Sequence, residues 1–263
     1  VMYEIQTYLG AAGLMHCTVC KEPVEAFYPK GSLLEMRKHH RQCACERKAY
    51  AEEAQYYKEK EHRELIARNK KICFEEKEME GFTFQNVERD SGVIRIAEEY
   101  VTNWQKMKQN HMGYLFWGPV GTGKSYLAAC IANALLEKEV TVKMTNFNTI
   151  LNDLFAAEDK TEYIRLLNGY ELLIIDDLGV ERSSEYALEN IFGVIDWRYR
   201  SGKPLIITTN LPLAQLKQET KIEKKRIYDR ILERCIPVKI DGVSRREAMA
   251  NDNMQTMKNI LKI

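Results

Sequence analysis

Residues 114–125 read Tyr-Leu-Phe-Trp-Gly-Pro-Val-Gly-Thr-Gly-Lys-Ser. Tyr114 to Trp117 have the composition of a short buried strand. They run straight into Gly118-x-x-x-x-Gly123-Lys124-Ser125, and the helix-forming stretch Tyr126 to Glu137 follows. Strand, glycine loop and helix in that order are what a phosphate-binding loop requires. Glycines let backbone N–H groups approach phosphate oxygens, and the start of the helix adds free N–H groups and the positive end of its dipole. Gly118, Pro119, Val120, Gly121, Thr122, Gly123, Lys124, Ser125 and Tyr126 are therefore the candidate nucleotide contacts. Lys124 is expected to reach the β- and γ-phosphates of ATP, and Ser125 to hold Mg²⁺ through its hydroxyl.

Downstream, Val140 to Met144 reads as a second strand and Thr149 to Phe155 as part of a helix. Glu171-Leu-Leu-Ile-Ile-Asp176-Asp177 then gives four buried-strand residues ending in two carboxylates, about fifty residues after the phosphate loop. Strands alternating with helices predict an α/β fold with a parallel sheet, whose ligands sit beyond the carboxyl ends of the strands. Asp176 is thus expected beside the phosphate loop as the second Mg²⁺ residue, and Asp177 as the group that orients the attacking water. The next strand, Pro204 to Asn210, ends in a polar amide at the same edge; Asn210 either senses the γ-phosphate or caps the following turn. In the helix Lys221 to Arg234, the residues Arg226, Arg230 and Arg234 recur at fours. That row is open between a solvated face, a DNA-backbone contact and an arginine offered to a neighbouring subunit's nucleotide, a role that suits a planar, always-charged fork. Cys235 precedes a last strand, and Ser244-Arg245-Arg246 opens the last helix.

Upstream, an amphipathic helix is expected at about Val93 to Lys108, and Phe82 to Val87 either lines the base pocket or packs in the core. Glu46 to Glu80 is about half charged and lacks proline and glycine, which predicts a helical arm ending at a domain boundary at Gly81. Pairs four apart such as Glu64 and Arg68 support it. Before it, Cys17-x-x-Cys20 and Cys43-x-Cys45 have the ligand spacing of a structural Zn²⁺ site, with His39 or His40 as alternates. A closed four-ligand shell leaves no position for chemistry, so the expected job of this segment is to hold a partner. The chain then divides into a zinc-binding module (1–45), a helical arm (46–80) and an ATPase domain (81–263).

The 263 residues suffice for one domain of ordinary size and something smaller. Lysine plus arginine (39) nearly balance aspartate plus glutamate (38), so any nucleic-acid surface must be local. No apolar run is long enough to span a bilayer, and the start does not resemble a signal peptide. A cytoplasmic protein with reduced or metal-bound cysteines, and no membrane partner, is expected.

Gly118–Ser125, Leu172–Asp177, Thr208–Asn210 and the helix bearing Arg226 and Arg230 together resemble the AAA+ ATPases, P-loop NTPases with a parallel sheet flanked by helices. More narrowly they resemble the bacterial DnaC/DnaI replicative helicase loaders and the related transposition helper IstB. Ile-Ile-Asp-Asp-Leu-Gly is the most telling feature, since this branch often has Asp-Asp where most AAA+ enzymes have Asp-Glu. The resemblance implies an oligomer in which Arg230 is the arginine finger acting in trans, with Arg226 as the reserve. It implies Arg245 as the sensor arginine acting in cis and Asn210 as the polar sensor. It implies ATP and single-stranded DNA as ligands of the ATPase domain and a hexameric DnaB-type helicase as partner of the N-terminal region. The cysteine-rich module fits DnaI-like loaders better than IstB. Asp177 is one methylene shorter than the usual glutamate, which predicts slow hydrolysis, and a single helix after Arg245 predicts a reduced lid. A transposase helper, or an adaptor that holds ATP with little turnover, are the alternatives. Contacts to DNA are expected in Asn146–Lys160 and Lys221–Arg226.

Overall fold

The computed structural model describes residues 6–86, 92–179, 184–242 and 244–261. It divides into two compact units, Val1–Leu65 and Ile66–Ile263.

In the first unit, β1 (Thr7–Leu9) pairs antiparallel with β2 (Met15–Cys17), and β3 (Glu25–Phe27) with β4 (Lys38–His40). The helix α1 (Ala44–Cys73) begins here. The only buried apolar cluster found among this unit's described residues is Cys17, Val24 and Cys43, with Met15, Cys20 and Cys45 packed around it. So small a core does not hold a fold of this length without a staple.

The division falls inside α1, earlier than the expected boundary at Gly81. Cys73 and Phe74 are buried in the core of the second unit, and Asn133 Nδ2 donates to the carbonyls of Met79 (2.8 Å) and Phe82 (3.0 Å). A short 3-10 turn at Lys77–Gly81 completes the connection. The charged composition of 46–80 hid this, because the apolar residues that are buried, Ile66, Cys73 and Phe74, all lie in its second half. On the exposed part of α1, Glu64 pairs with Lys60 at 3.9 Å.

The second unit continues with α2 (Gly92–Thr102), α3 (Trp104–Gln109), β5 (Gly113–Trp117), α4 (Lys124–Leu136), β6 (Val142–Asn146), α5 (Phe147–Ala156) and α6 (Lys160–Gly169). Then follow β7 (Leu172–Leu178), α7 (Glu185–Ser201), β8 (Leu205–Thr209), α8 (Leu213–Lys217), α9 (Ile222–Arg234), β9 (Cys235–Lys239) and α10 (Arg245–Leu261). The helix expected over 93–108 is thus two helices, interrupted at Asn103. The strands form one parallel sheet in the order β6-β7-β8-β5-β9. Successive strand residues point to opposite faces. Tyr114, Phe116, Leu172, Ile174 and Ile206 face the cluster that contains α4, whereas Leu115, Leu173, Ile175, Leu205 and Ile207 face α5, α7 and α9. Two faces covered by helices explain why these strands read as unbroken apolar runs.

Two tight features fix the sheet. A Cβ at Gly113 would lie 1.6 Å from the Leu205 carbonyl oxygen, so only glycine lets β5 begin there. Arg198 on α7 is 1% exposed and fastens the segments that lead into β7 and β8. Its Nε and Nη2 donate to the Pro204 carbonyl (3.1 and 2.6 Å), Nη1 to Tyr170 (2.9 Å) and Nη2 also to Glu171 (2.9 Å). Burial pulls its guanidinium down to about 9. One helix, α10, follows β9 among the described residues. No helix among them is long and apolar enough to cross a membrane.

Candidate nucleotide site and cysteine cluster

After Trp117 the backbone takes positive φ at Gly118 (147°), Gly121 (82°) and Gly123 (94°), and α4 starts directly behind. Side chains are excluded where it matters: a Cβ on Gly118 would sit 2.2 Å from the Ile240 carbonyl oxygen. The loop therefore exposes backbone N–H groups at a helix start, which fits a polyphosphate. Lys124, 5% exposed, folds its Nζ over the loop to the carbonyls of Gly118 (3.0 Å) and Pro119 (2.7 Å). Thr122 Oγ1 braces the same turn by donating to Pro119 at 2.9 Å.

The second half of the site comes from β7 and β8. Asp176 is hydrogen-bonded by the hydroxyls of Thr208 (2.5 Å) and Ser125. Burial, the leading influence, raises its carboxyl above the ordinary range, against the pull of those two hydroxyls. Lys124 also pulls it down while Asp177 pushes it up. Asp177 adopts φ 56°, a left-handed conformation uncommon outside glycine. Its N–H donates to Thr208 Oγ1 at 2.9 Å, and Asn210 Nδ2 approaches its Oδ1 at 3.5 Å. Ser125 and Asp176 thus meet as hard oxygen donors beside the phosphate loop, a donor set that fits Mg²⁺. Beyond Asp176 a cleft is lined by Glu75, Met79, Met144, Thr145 and Asn146.

The motif residues Lys124, Ser125, Asp176, Asp177 and Asn210 are therefore brought together. Tyr126 is committed to packing: it stacks on Phe82 at 4.5 Å and its hydroxyl donates to the Thr83 carbonyl at 3.1 Å. Phe82 is partly buried and packs against the core. Val87 lies outside the described residues. Arg245 is the first residue of α10, and Ser244 just before it approaches Gly121, where a Cβ would meet Ser244 Oγ at 2.2 Å. The Arg245 side chain lies outside the described residues.

Arg226 and Arg230 lie on α9, packed against Phe192 of α7. Arg226 stacks over Phe192 (4.2 Å), Arg230 over Phe192 (4.7 Å) and Tyr199 (5.8 Å), and Arg234 over Tyr199 (4.6 Å). Arg230 Nε also donates to Asp196 Oδ1 at 2.8 Å, and Arg200 Nε to Asp196 Oδ2 at 2.8 Å. The row is therefore a rack of cations on aromatic faces, with Arg230 half-buried. Sequence reasoning gave Thr208 no role of its own within its motif and missed Asp196 and Glu75, whose carboxylate accepts from Thr145 (2.8 Å) and Thr149 (3.0 Å). In Asn146–Lys160, Asn146 caps α5, Phe147, Ile150 and Leu154 are core, and Phe155 is exposed.

In the first unit the Sγ atoms of Cys17, Cys20, Cys43 and Cys45 all lie within 4.8 Å of one another. Thiolates about 2.3 Å from a tetrahedral Zn²⁺ sit at comparable separations, so the donor set fits the metal. The backbone N–H of Glu22 pulls the Cys20 thiol down to about 6, toward the thiolate a metal takes, while burial pushes Cys45 up to about 11. The alternates are engaged elsewhere: His40 Nε2 pairs with Glu46 at 3.2 Å, and His39 bonds the His40 carbonyl and packs on Tyr28.

The profile of the family described as IstB-like ATP binding protein matches residues 49–252. The chain belongs to that family. The chain is similar to the replicative helicase loader DnaI of Bacillus subtilis (strain 168), 24% identical over 192 residues, covering 67% of this chain and 62% of that one. It is also similar to the replicative helicase loader DnaC of Escherichia coli (strain K12), 29% identical over 149 residues, covering 55% of this chain and 58% of the relative. The chain thus spans about three fifths of the length of these curated relatives. A crystal structure of DnaI superposes with a TM-score of 0.58 at 25% identity, covering 68% of this chain and 99% of that chain. The resemblance to the DnaC/DnaI branch of the AAA+ ATPases, read from the motifs, is borne out.

Proposed function

We propose that this chain is an ATP-dependent loader of a hexameric DnaB-type replicative helicase onto single-stranded DNA. The observation that carries the reading is the convergence of Lys124, Ser125, Asp176, Asp177 and Asn210 on one edge of the sheet, in a chain whose relatives are named replicative helicase loaders. The loop from Gly118 to Ser125 cradles the phosphates and Lys124 neutralises them. Mg²⁺, when bound by Ser125 and Asp176, neutralises further charge on the phosphate oxygens. Asp177 orients the attacking water and takes its proton, and Asn210 reports the γ-phosphate to β8. A carboxylate on so short a stem, held in a left-handed conformation, is slow at this work, which suits a switch.

Subunits self-associate through the ATPase unit, with Arg230 of one copy completing the site of the next, Arg226 in reserve and Arg245 acting in cis. The module around Cys17, Cys20, Cys43 and Cys45, folded by Zn²⁺, grips the helicase. Lys221–Arg226 and Asn146–Lys160 line the path of the DNA. The setting is the cytoplasm.

The test is a pull-down from native cell extract with the full chain, with ATP and Mg²⁺ and with or without a zinc chelator. A replicative helicase recovered with the intact chain and lost on chelation supports the loader and its metal together. A transposase in its place sinks the reading in favour of the transposition helper. Single-turnover hydrolysis separates either from an adaptor that only holds ATP.

A further inference from the structure

The pairing of β7 with β8 slips at the acidic pair. Ile175 faces Ile207 and Leu178 faces Thr209, so Asp176 and Asp177 together stand opposite Thr208 alone. A bulge of this kind leaves the extra residue without its ladder partner and re-aims its side chain. Here one hydroxyl answers both demands. Thr208 Oγ1 accepts the N–H of Asp177 at 2.9 Å and donates its proton to Asp176 Oδ1 at 2.5 Å, from a side chain that is 0% exposed. A hydroxyl has a single proton, so with the Asp177 N–H on a lone pair the proton goes to the carboxylate. The next residue closes the bulge in the same way, Thr209 Oγ1 donating to the Leu178 carbonyl at 2.7 Å. Two residues beyond Thr208, Asn210 meets Asp177.

We propose that Thr208 is the positioning residue of the acidic pair: its hydroxyl sets the orientation of the Asp176 carboxylate and the left-handed backbone of Asp177 against the strand that leads to Asn210. The proposal rests on the ATPase reading above for its catalytic consequence. If Thr208 merely fills space, valine of the same shape serves equally well. If its hydroxyl positions, valine keeps the packing and loses both the Mg²⁺ donor geometry and the alignment of Asp177.

The experiment compares Thr208→Val, Thr208→Ser and Thr208→Ala in the full chain, checked for folding by thermal melting. Two readouts are taken: the Mg²⁺ concentration that half-maximally tightens binding of a fluorescent ATP analogue, and kcat and KM for ATP. Losing a hydrogen bond to a charged group predicts for Thr208→Val a Mg²⁺ midpoint raised ~10-fold and kcat lowered ~10- to 100-fold, with KM within about twofold. Thr208→Ser stays within about threefold of the parent on both, since it keeps the hydroxyl. Wild-type behaviour of a folded Thr208→Val, or equal impairment of Thr208→Ser, overturns the proposal. Should valine not fold, Thr208→Ala, which opens space without crowding, meets the same criterion. Parent protein that binds nucleotide and Mg²⁺ without hydrolysis sinks the ATPase reading, and the Mg²⁺ midpoint still decides the role of Thr208.

Discussion

Arg230 is bound to Asp196: Nε donates to Oδ1 at 2.8 Å while the guanidinium lies over Phe192 and Tyr199. Asp196 is buried and holds Arg200 on its other oxygen. A cation so held keeps its orientation and charge, and its contacts are to α7. Arg230→Ala is therefore expected to leave nucleotide binding by the isolated subunit unchanged and to lower hydrolysis by the assembled protein ~10³-fold or more, as loss of an arginine finger does. Arg230→Lys does not rescue, because an ammonium cannot match the fork. Normal turnover by Arg230→Ala, measured above the assembly concentration, would falsify the trans role.

Lys124 contributes a buried ammonium already pointed along the loop carbonyls. Lys124→Ala removes the side-chain cation of the cradle, and calorimetric titration should show ATP affinity weakened ~30-fold or more. Unchanged affinity would mean that phosphates are not held here.

Asp176 yields a stability prediction with a definite sign. Burial raises its carboxyl, so between the ordinary carboxylate range and the raised value the folded chain keeps a proton that the unfolded chain has released. Stability from this group therefore falls as pH climbs through that window, and above it the folded state carries the full penalty of the charge. Asp176→Asn, which removes that penalty, is therefore expected to raise the melting temperature at neutral pH. It is also expected to abolish the Mg²⁺ dependence of nucleotide binding. A melting-temperature gain of Asp176→Asn over the parent that grows as pH rises checks the sign.

The cysteine cluster predicts one zinc per chain by elemental analysis. Chelation or Cys17→Ser should melt residues 1–65 first, seen as a separate low-temperature transition, since four thiols and very few apolar side chains make its core. Four freely titrating thiols in the folded protein would sink the site.

Gly113 brings β5 hard against the Leu205 carbonyl. Gly113→Ala must push the two strands apart and should cost about 3 kcal/mol or more by denaturant unfolding.

The phosphate loop, the acid-terminated strand and the cysteine pairs were legible in the sequence because each is a local pattern, a few residues whose spacing is the chemistry. What escaped was long-range. Asp196 and Arg230 are 34 positions apart, and no spacing rule links them. Thr208 looked like one polar residue ending an apolar strand, and only a slipped register makes it the partner of two aspartates. The close of α1 read as arm because charge outnumbers its few apolar residues, yet Cys73 and Phe74 among them are what the core takes in.

Arg198 stands at one end of β7 and β8, and the hydroxyls of Thr208 and Thr209 at the other. Two strands riveted at both ends cannot shear past each other; they move as a single beam. A displacement imposed at Asp177 is then expected to carry to Asn210, with the give lying in what is attached to that beam.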